Sequence, residues 1–110
     1  MISADAIRGY IDLMVLSLLR RAPSYAYDLA QQISSVTGND YTIKQTTLYS
    51  AVKRLENAGF VDSYPGTSDS GKSRTYYRLT PAGSDHLALK AEEWHRTKAV
   101  IDRFTEGITS

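Results

Sequence analysis

Between Lys44 and Arg54 the chain sets short hydroxyl and amide side chains among cations: Lys44, Gln45, Thr46, Thr47, Tyr49, Ser50, Lys53 and Arg54. Short hydroxyls and amides can reach base edges in the major groove of a duplex, while Lys and Arg reach phosphates or guanine. Such groups need a helix that is held by its other face, and Leu48, Ala51, Val52 and Leu55 recur at the spacing that supplies one. Gln45, Thr46, Thr47 and Ser50 fall near the N-terminal end of that helix, the end that meets bases; Tyr49, Lys53 and Arg54 are candidates for the backbone. The same pattern also describes the wet face of any amphipathic helix. A second basic group, Gly71-Lys72-Ser73-Arg74, lies in the chain's one Gly/Ser/Asp-rich stretch. A flexible basic turn can follow phosphates or enter the minor groove, and it can equally be a solvated turn. The helix face and the turn together point to duplex DNA more strongly than either does alone.

Other chemistries find little support. The chain has no cysteine, which removes disulfides, thiolate metal sites and thiol catalysis. His86 and His95 are nine residues apart, about two and a half helical turns, and neither has a second ligand at metal spacing. Glu92-Glu93 is an adjacent pair that does not converge on one point. Gly66 and Gly71-Lys72-Ser73 match letters of a phosphate loop, but a strand follows instead of a helix. There is no nucleophile-elbow pattern. No enzyme, cofactor or metal is expected.

The net charge is only +1, but it is unevenly placed. Residues 41–78 carry six basic side chains (Lys44, Lys53, Arg54, Lys72, Arg74, Arg78) against three acidic ones, and are the only net-positive third. With 42% hydrophobic and 23% charged residues the composition is that of a globular domain. No apolar run is long enough to span a bilayer, and the opening Met-Ile-Ser-Ala-Asp-Ala does not read as a signal peptide. One domain and a cytoplasmic location are expected. At 110 residues a partner copy is a common way to gain a second buried face.

These groups are positioned by a short series of elements. A first helix from about Gly9 to Arg21 is apolar almost all round, so it should be buried on more than one side; Ala22-Pro23 stops it. Ser24 can cap a second helix whose inward face is Tyr25, Leu29, Ile33 and Val36, ended by Gly38-Asn39-Asp40. After a short extended piece at Tyr41-Thr42-Ile43, a third helix runs roughly from Gln45 to Ala58, with Gly59 as its left-handed stop. Phe60 to Tyr64 and Arg74 to Leu79 read as strands of a hairpin whose loop is about eight residues. Thr80-Pro81 starts a fourth helix that can reach about Phe104, roughly 36 Å. Along it Leu87, Trp94, Ile101 and Ile108 recur every seven residues, with Ala91 between and Phe104 nearby, a weak heptad. The class is mainly α with a β-hairpin: a winged helix-turn-helix in residues 1–80 and a long C-terminal dimerisation helix in residues 81–110.

Several blocks in register resemble the PadR family of bacterial transcriptional regulators. They are Leu13-Met14-Val15-Leu16-Ser17-Leu18-Leu19, Ser24-Tyr25-Ala26-Tyr27-Asp28-Leu29, the run from Thr47-Leu48-Tyr49 to Gly59, and Arg74 to Gly83 with Trp94. The resemblance spans roughly residues 9–104, and its length and single last helix look like the short subfamily. It implies a dimer held by the last helix, with the first helix packed into it. It also implies repression of nearby genes, relieved in some members by a small molecule. In one branch planar ligands lie at the dimer centre near the tryptophan that Trp94 matches. Three departures stand out: Lys44-Gln45-Thr46 replaces a frequent Ser-Pro-Gly, Ala26 replaces a glycine between the tyrosines, and Gly71-Lys72-Ser73-Arg74 replaces Gly-Gly-Arg-Arg/Lys.

The expectation is a homodimer on a pseudo-palindromic operator in double-stranded DNA, reading with Lys44, Gln45, Thr46, Thr47, Tyr49, Ser50, Lys53, Arg54, Lys72, Ser73 and Arg74. Leu87, Ala91, Trp94, Ile101 and Phe104 would form the dimer interface, with a small planar or aromatic effector as a further partner. A winged-helix module that binds only protein is the alternative; four hydroxyls and few large apolar groups on the third helix count against it.

Overall fold

The computed structural model describes residues 2–108. Its elements in chain order are α1 (Ala4–Ile7), α2 (Ile11–Arg21), β1 (Ser24–Tyr25), α3 (Ala26–Val36), α4 (Gln45–Asn57), β2 (Val61–Thr67), β3 (Ser73–Leu79) and α5 (Pro81–Thr105). The first helix expected from Gly9 begins two residues later, and a 3-10 turn at Arg8–Tyr10 joins it to α1. Ser3 caps α1 by accepting from the Ala6 N–H at 3.2 Å, a start signal that precedes the apolar run.

Helix α2 buries Ile11, Val15, Leu16, Leu18 and Leu19 and packs on α3, α4, α5 and β3. Only Ser17, Arg20 and Arg21 of this helix are exposed, a narrow wet strip, so the other elements gather on the rest of it. Helix α3 adds Leu29, Ala30 and Ile33, and α4 adds Leu48, Ala51, Val52 and Leu55, as expected. Val36 is a correction: it is 69% exposed. It is the last residue of α3, and the chain turns away at Gly38 and Asn39, both left-handed (φ 60° and 66°). Asparagine tolerates that region better than other non-glycine residues. Tyr41 and Ile43 then insert into the core.

Ser24 does not cap α3. It lies buried in β1, which pairs antiparallel with β3 (Ser24 opposite Tyr77, Tyr25 opposite Tyr76), and its hydroxyl donates to Asp28 at 2.6 Å. The N-cap is Tyr25, with no side-chain bond to the helix. A two-residue strand is too short to show alternation, and its partner lies some fifty residues away.

Helix α4 ends as its sequence requires. Gly59 takes φ 81°, its N–H donates to the Glu56 carbonyl, and the Phe60 N–H reaches back to Leu55, a Schellman closure. Phe60 therefore belongs to this turn, and the strand starts one residue later than expected. The hairpin is also longer than expected: β2 continues through Pro65, Gly66 and Thr67, leaving a loop of only Ser68 to Lys72. The sheet order is β1-β3-β2, so Pro65 sits on an edge strand, where a missing N–H is tolerated.

Thr80 starts α5, its hydroxyl accepting from the Gly83 N–H at 3.0 Å and donating to the Gly59 carbonyl at 2.7 Å. One side chain thus joins the end of α4 to the start of α5. Gly83 is pressed against the hairpin: a Cβ there would overlap the Phe60 carbonyl and meet the Leu79 side chain. Only Gly83 and Leu87 of α5 are buried, so most of its 25 residues, about 37 Å, project beyond the core.

Gly83→Ala should destabilise the protein by about 2 kcal/mol or more, the range for forced overpacking. Urea unfolding checks this, and an unchanged midpoint would contradict the packing of α5 on Phe60.

Candidate nucleic-acid interface

Lys44 is the N-cap of α4, extended (φ −71°, ψ 142°) and without a side-chain cap, so the first-turn N–H groups are left without a protein acceptor from that side chain. Lys44, Gln45, Thr46, Thr47, Tyr49 and Ser50 are all exposed. With Leu48, Ala51, Val52 and Leu55 anchored in the core, these polar groups are carried on a fixed cylinder.

The cations of the middle third divide into two sets. Arg54 forms a fork on Asp12 of α2, with Nη2 at 2.5 Å from Oδ1 and Nε at 3.3 Å from Oδ2. That hydrogen bond holds the Arg54 pKa above its ordinary value, against some burial. Lys53 donates to Glu56 at 3.3 Å and lies 5.5 Å from the centre of the Tyr49 ring. Its pKa is raised, first by the bond to Glu56 and then by Tyr49. Glu56 also accepts from the Ser63 hydroxyl, so α4, β2 and Lys53 share one carboxylate. Arg78 pairs with Asp62 at 2.6 Å and stacks over Tyr64. Lys44, Lys72 and Arg74 form no ion pair among the described residues.

At the hairpin, Lys72 and Ser73 are exposed beside Gly71, whose φ of 83° makes the turn. Arg74 is folded back against the domain. Its guanidinium lies 4.9 Å from the centre of the Tyr25 ring and 5.9 Å from that of Tyr27, and its Nε is buried with no acceptor. Tyr25, Tyr27, Gln45, Tyr49, Ser73 and Arg74 line one recess of about 410 Å³. The loop end of the hairpin and the first turns of α4 therefore share a surface. Tyr25 and Tyr27 were not among the expected site residues. For Tyr25 the signal is register: Tyr25, Tyr76 and Tyr64 lie straight across β1, β3 and β2, which is invisible before the strands are paired, and Tyr27 follows in the first turn of α3.

The expected interface residues are spread along α5. Leu87 is buried, Ala91 and Trp94 are half-buried, and Ile101 and Phe104 are exposed, Phe104 by 75%. Trp94 meets Tyr10 edge-to-face at 4.9 Å. Tyr10, Asp12, Leu13, His86, Glu93 and Trp94 surround a cleft of about 240 Å³ between the start of α2 and α5. Leu13 and Met14 of α2 face Leu87 and Ala91 along a shallow apolar groove. His86 stacks on Phe60 at 4.0 Å. Among the described residues no group of three His, Cys, Asp or Glu is placed to hold a metal, and no helix is long and apolar enough to cross a membrane.

Comparison with known proteins gives a consistent result. The transcriptional regulator PadR-like family matches residues 15–89. A transcriptional regulator from Clostridium thermocellum has a similar structure, with TM-score 0.87 and 47% identity, covering 96% of this chain and 100% of that one. A PadR family transcription regulator from Clostridium difficile gives TM-score 0.75 at 36% identity, covering 86% and 97% of the two chains. An uncharacterized protein from Lysinibacillus sphaericus is 38% identical over 98% of this chain and 99% of its own length.

The Glu56 bridge has a pH consequence. The Ser63 hydroxyl holds the Glu56 carboxyl below its ordinary 4.5, against the opposing effect of burial, and Lys53 adds a smaller pull in the same direction as Ser63. Its contribution to stability is therefore complete above that ordinary value and lost as pH falls through the folded one. The urea midpoints of wild type and Glu56→Gln should differ at about pH 7 and converge by about pH 3. A constant gap would contradict the bridge.

Proposed function

The chain belongs to the PadR-like family of transcriptional regulators, and from that premise we propose that it binds double-stranded DNA as a homodimer and represses transcription. The observation that carries this reading is the shared surface of α4 and the hairpin. Gln45 and Tyr49 of α4 adjoin Arg74 and Ser73 around one concavity, Thr46, Thr47 and Ser50 are exposed on the same helix, and Lys44 and Lys72 have no carboxylate partner among the described residues. Gln45, Thr46, Thr47 and Ser50 then read base edges, and Lys44, Tyr49, Lys72, Ser73 and Arg74 hold the backbone. Lys53 and Arg54 share their charge with Glu56 and Asp12, so they contribute less to phosphates. No catalytic role is assigned to any residue, and a regulator of this kind works in the cytoplasm.

Residues 1–80 serve as the reading head and residues 81–110 as the dimerisation arm. Val100, Ile101 and Phe104 are exposed apolar side chains on one projecting helix, Ile108 is exposed in the turn just past its end, and a partner copy is what removes such surface from water. The groove of Leu13, Met14, Leu87 and Ala91 continues that surface onto α2. A two-fold dimer would present two α4 helices to major grooves about 34 Å apart, on a pseudo-palindrome.

The cleft at Trp94 suits a small planar or aromatic effector. It offers the rings of Tyr10 and Trp94 for stacking, with the carboxylates of Asp12 and Glu93 paired to Arg54 and Lys90. Through Arg54, Asp12 holds α4. An occupant that competes for Asp12 would act on the reading helix directly, and it relieves repression only if it binds the DNA-free form more tightly.

Ile101→Glu with Phe104→Glu should convert the dimer to a monomer in sedimentation and weaken duplex binding by about a hundredfold or more, since two linked half-sites bind as one unit. A variant that stays dimeric, or a monomer that binds as well as wild type, would contradict this assembly.

A further inference from the structure

We infer that the recess between the hairpin and α4 is a pre-shaped seat for one DNA backbone phosphate, in which Tyr25 and Tyr27 act as positioning residues for Arg74. The inference rests on the reading of this face as the duplex-binding one, and it adds a specific contact and two residues to it.

Arg74 differs from the other arginines of the middle third. Arg54 and Arg78 each hold a carboxylate, on Asp12 and Asp62. Arg74 holds none. Its planar cation lies against two aromatic rings, Tyr25 at 4.9 Å and Tyr27 at 5.9 Å. Rings fix the plane of a guanidinium without using its N–H groups. The two Nη groups therefore keep their donors for a ligand, whereas Nε is closed off from solvent without an acceptor.

The surroundings select an anion. No Asp or Glu lines the recess; its walls are tyrosines, Ala26, Gln45, Ser73 and Thr75. Gln45 is the first residue of α4, and the cap position before it offers no side-chain acceptor. A tetrahedral oxyanion can accept the guanidinium fork on two oxygens and hydroxyl or amide donors on the others. A duplex that places bases before Thr46, Thr47 and Ser50 carries its backbone past this point, so a phosphodiester is the occupant. The rings spare Arg74 the ordering that a free surface arginine undergoes on binding, and this is where they contribute affinity.

The test measures affinity for a short mixed-sequence duplex by fluorescence anisotropy across a salt series, because phosphate contacts do not depend on sequence. Arg74→Gln should weaken binding about tenfold and lower the salt slope by about 0.9 for each bound protomer. Tyr27→Ala removes no charge; it should weaken binding about threefold at unchanged slope, and Tyr27→Phe, which keeps the ring, should bind as wild type. Tyr27 is 53% exposed, so its replacement leaves the core intact. The double variant Tyr27→Ala/Arg74→Gln should bind no more weakly than Arg74→Gln alone. Independent, multiplying effects of the two changes would overturn the positioning role. A wild-type slope in Arg74→Gln, with wild-type protein binding duplex normally, would overturn the seat and leave the wider reading standing. If wild-type protein binds no duplex even at low salt, both fail together.

Discussion

Helix α2 leaves only Ser17, Arg20 and Arg21 exposed, and the other elements are arranged around its buried faces. Ile11, Val15, Leu16, Leu18 and Leu19 are buried by α3, α4, α5 and β3 together. Burying a helix on several sides fixes the mutual angles of all its neighbours, because packed interiors do not deform continuously. The polar face of α4 has a defined direction for that reason. The same helix carries Asp12 toward α4 and Leu13 and Met14 toward α5. The polar face of α4, the cleft at Trp94 and the groove of Leu13 and Met14 all border this one helix.

On this frame the basic residues of the middle third do two different jobs. Arg54, Lys53 and Arg78 are tied to Asp12, Glu56 and Asp62. Exposed ion pairs of this sort add little stability, but a two-bonded fork fixes orientation. They brace α4 against α2 and the two hairpin strands against each other. Lys44, Lys72 and Arg74 have no such partner and carry positive potential outward. On the proposed reading, binding strength and salt dependence follow from this second set, and the accuracy with which α4 is presented follows from the first.

Much of this order is legible in the sequence because it is local. Leu48, Ala51, Val52 and Leu55 declare the inner face of α4, Gly59 declares its end, and Thr80-Pro81 declares the start of α5. What escapes is set by residues far apart in the chain. Ser24 has the composition of a cap and becomes a strand residue because β3 is there to pair with it. Pro65 has the composition of a turn and lies in a strand because β2 is at the sheet edge. Arg54 reads as a phosphate ligand, yet its nearest anion is Asp12, 42 residues away. Tyr25 reads as an inward helical residue and instead stacks on Arg74 at the site. Periodicity shows which face of an element is polar, but only the tertiary fold shows which polar groups are already satisfied by one another.

The central claim is that α4 and the hairpin of two copies read a duplex together. Its most direct test is selection of fragments from the fragmented source genome by the purified protein, at low and at high salt. The account predicts enrichment of a pseudo-palindrome with half-sites about one helical turn apart, persisting as salt is raised. Enrichment of nothing, or uniform binding that vanishes with salt, would contradict it.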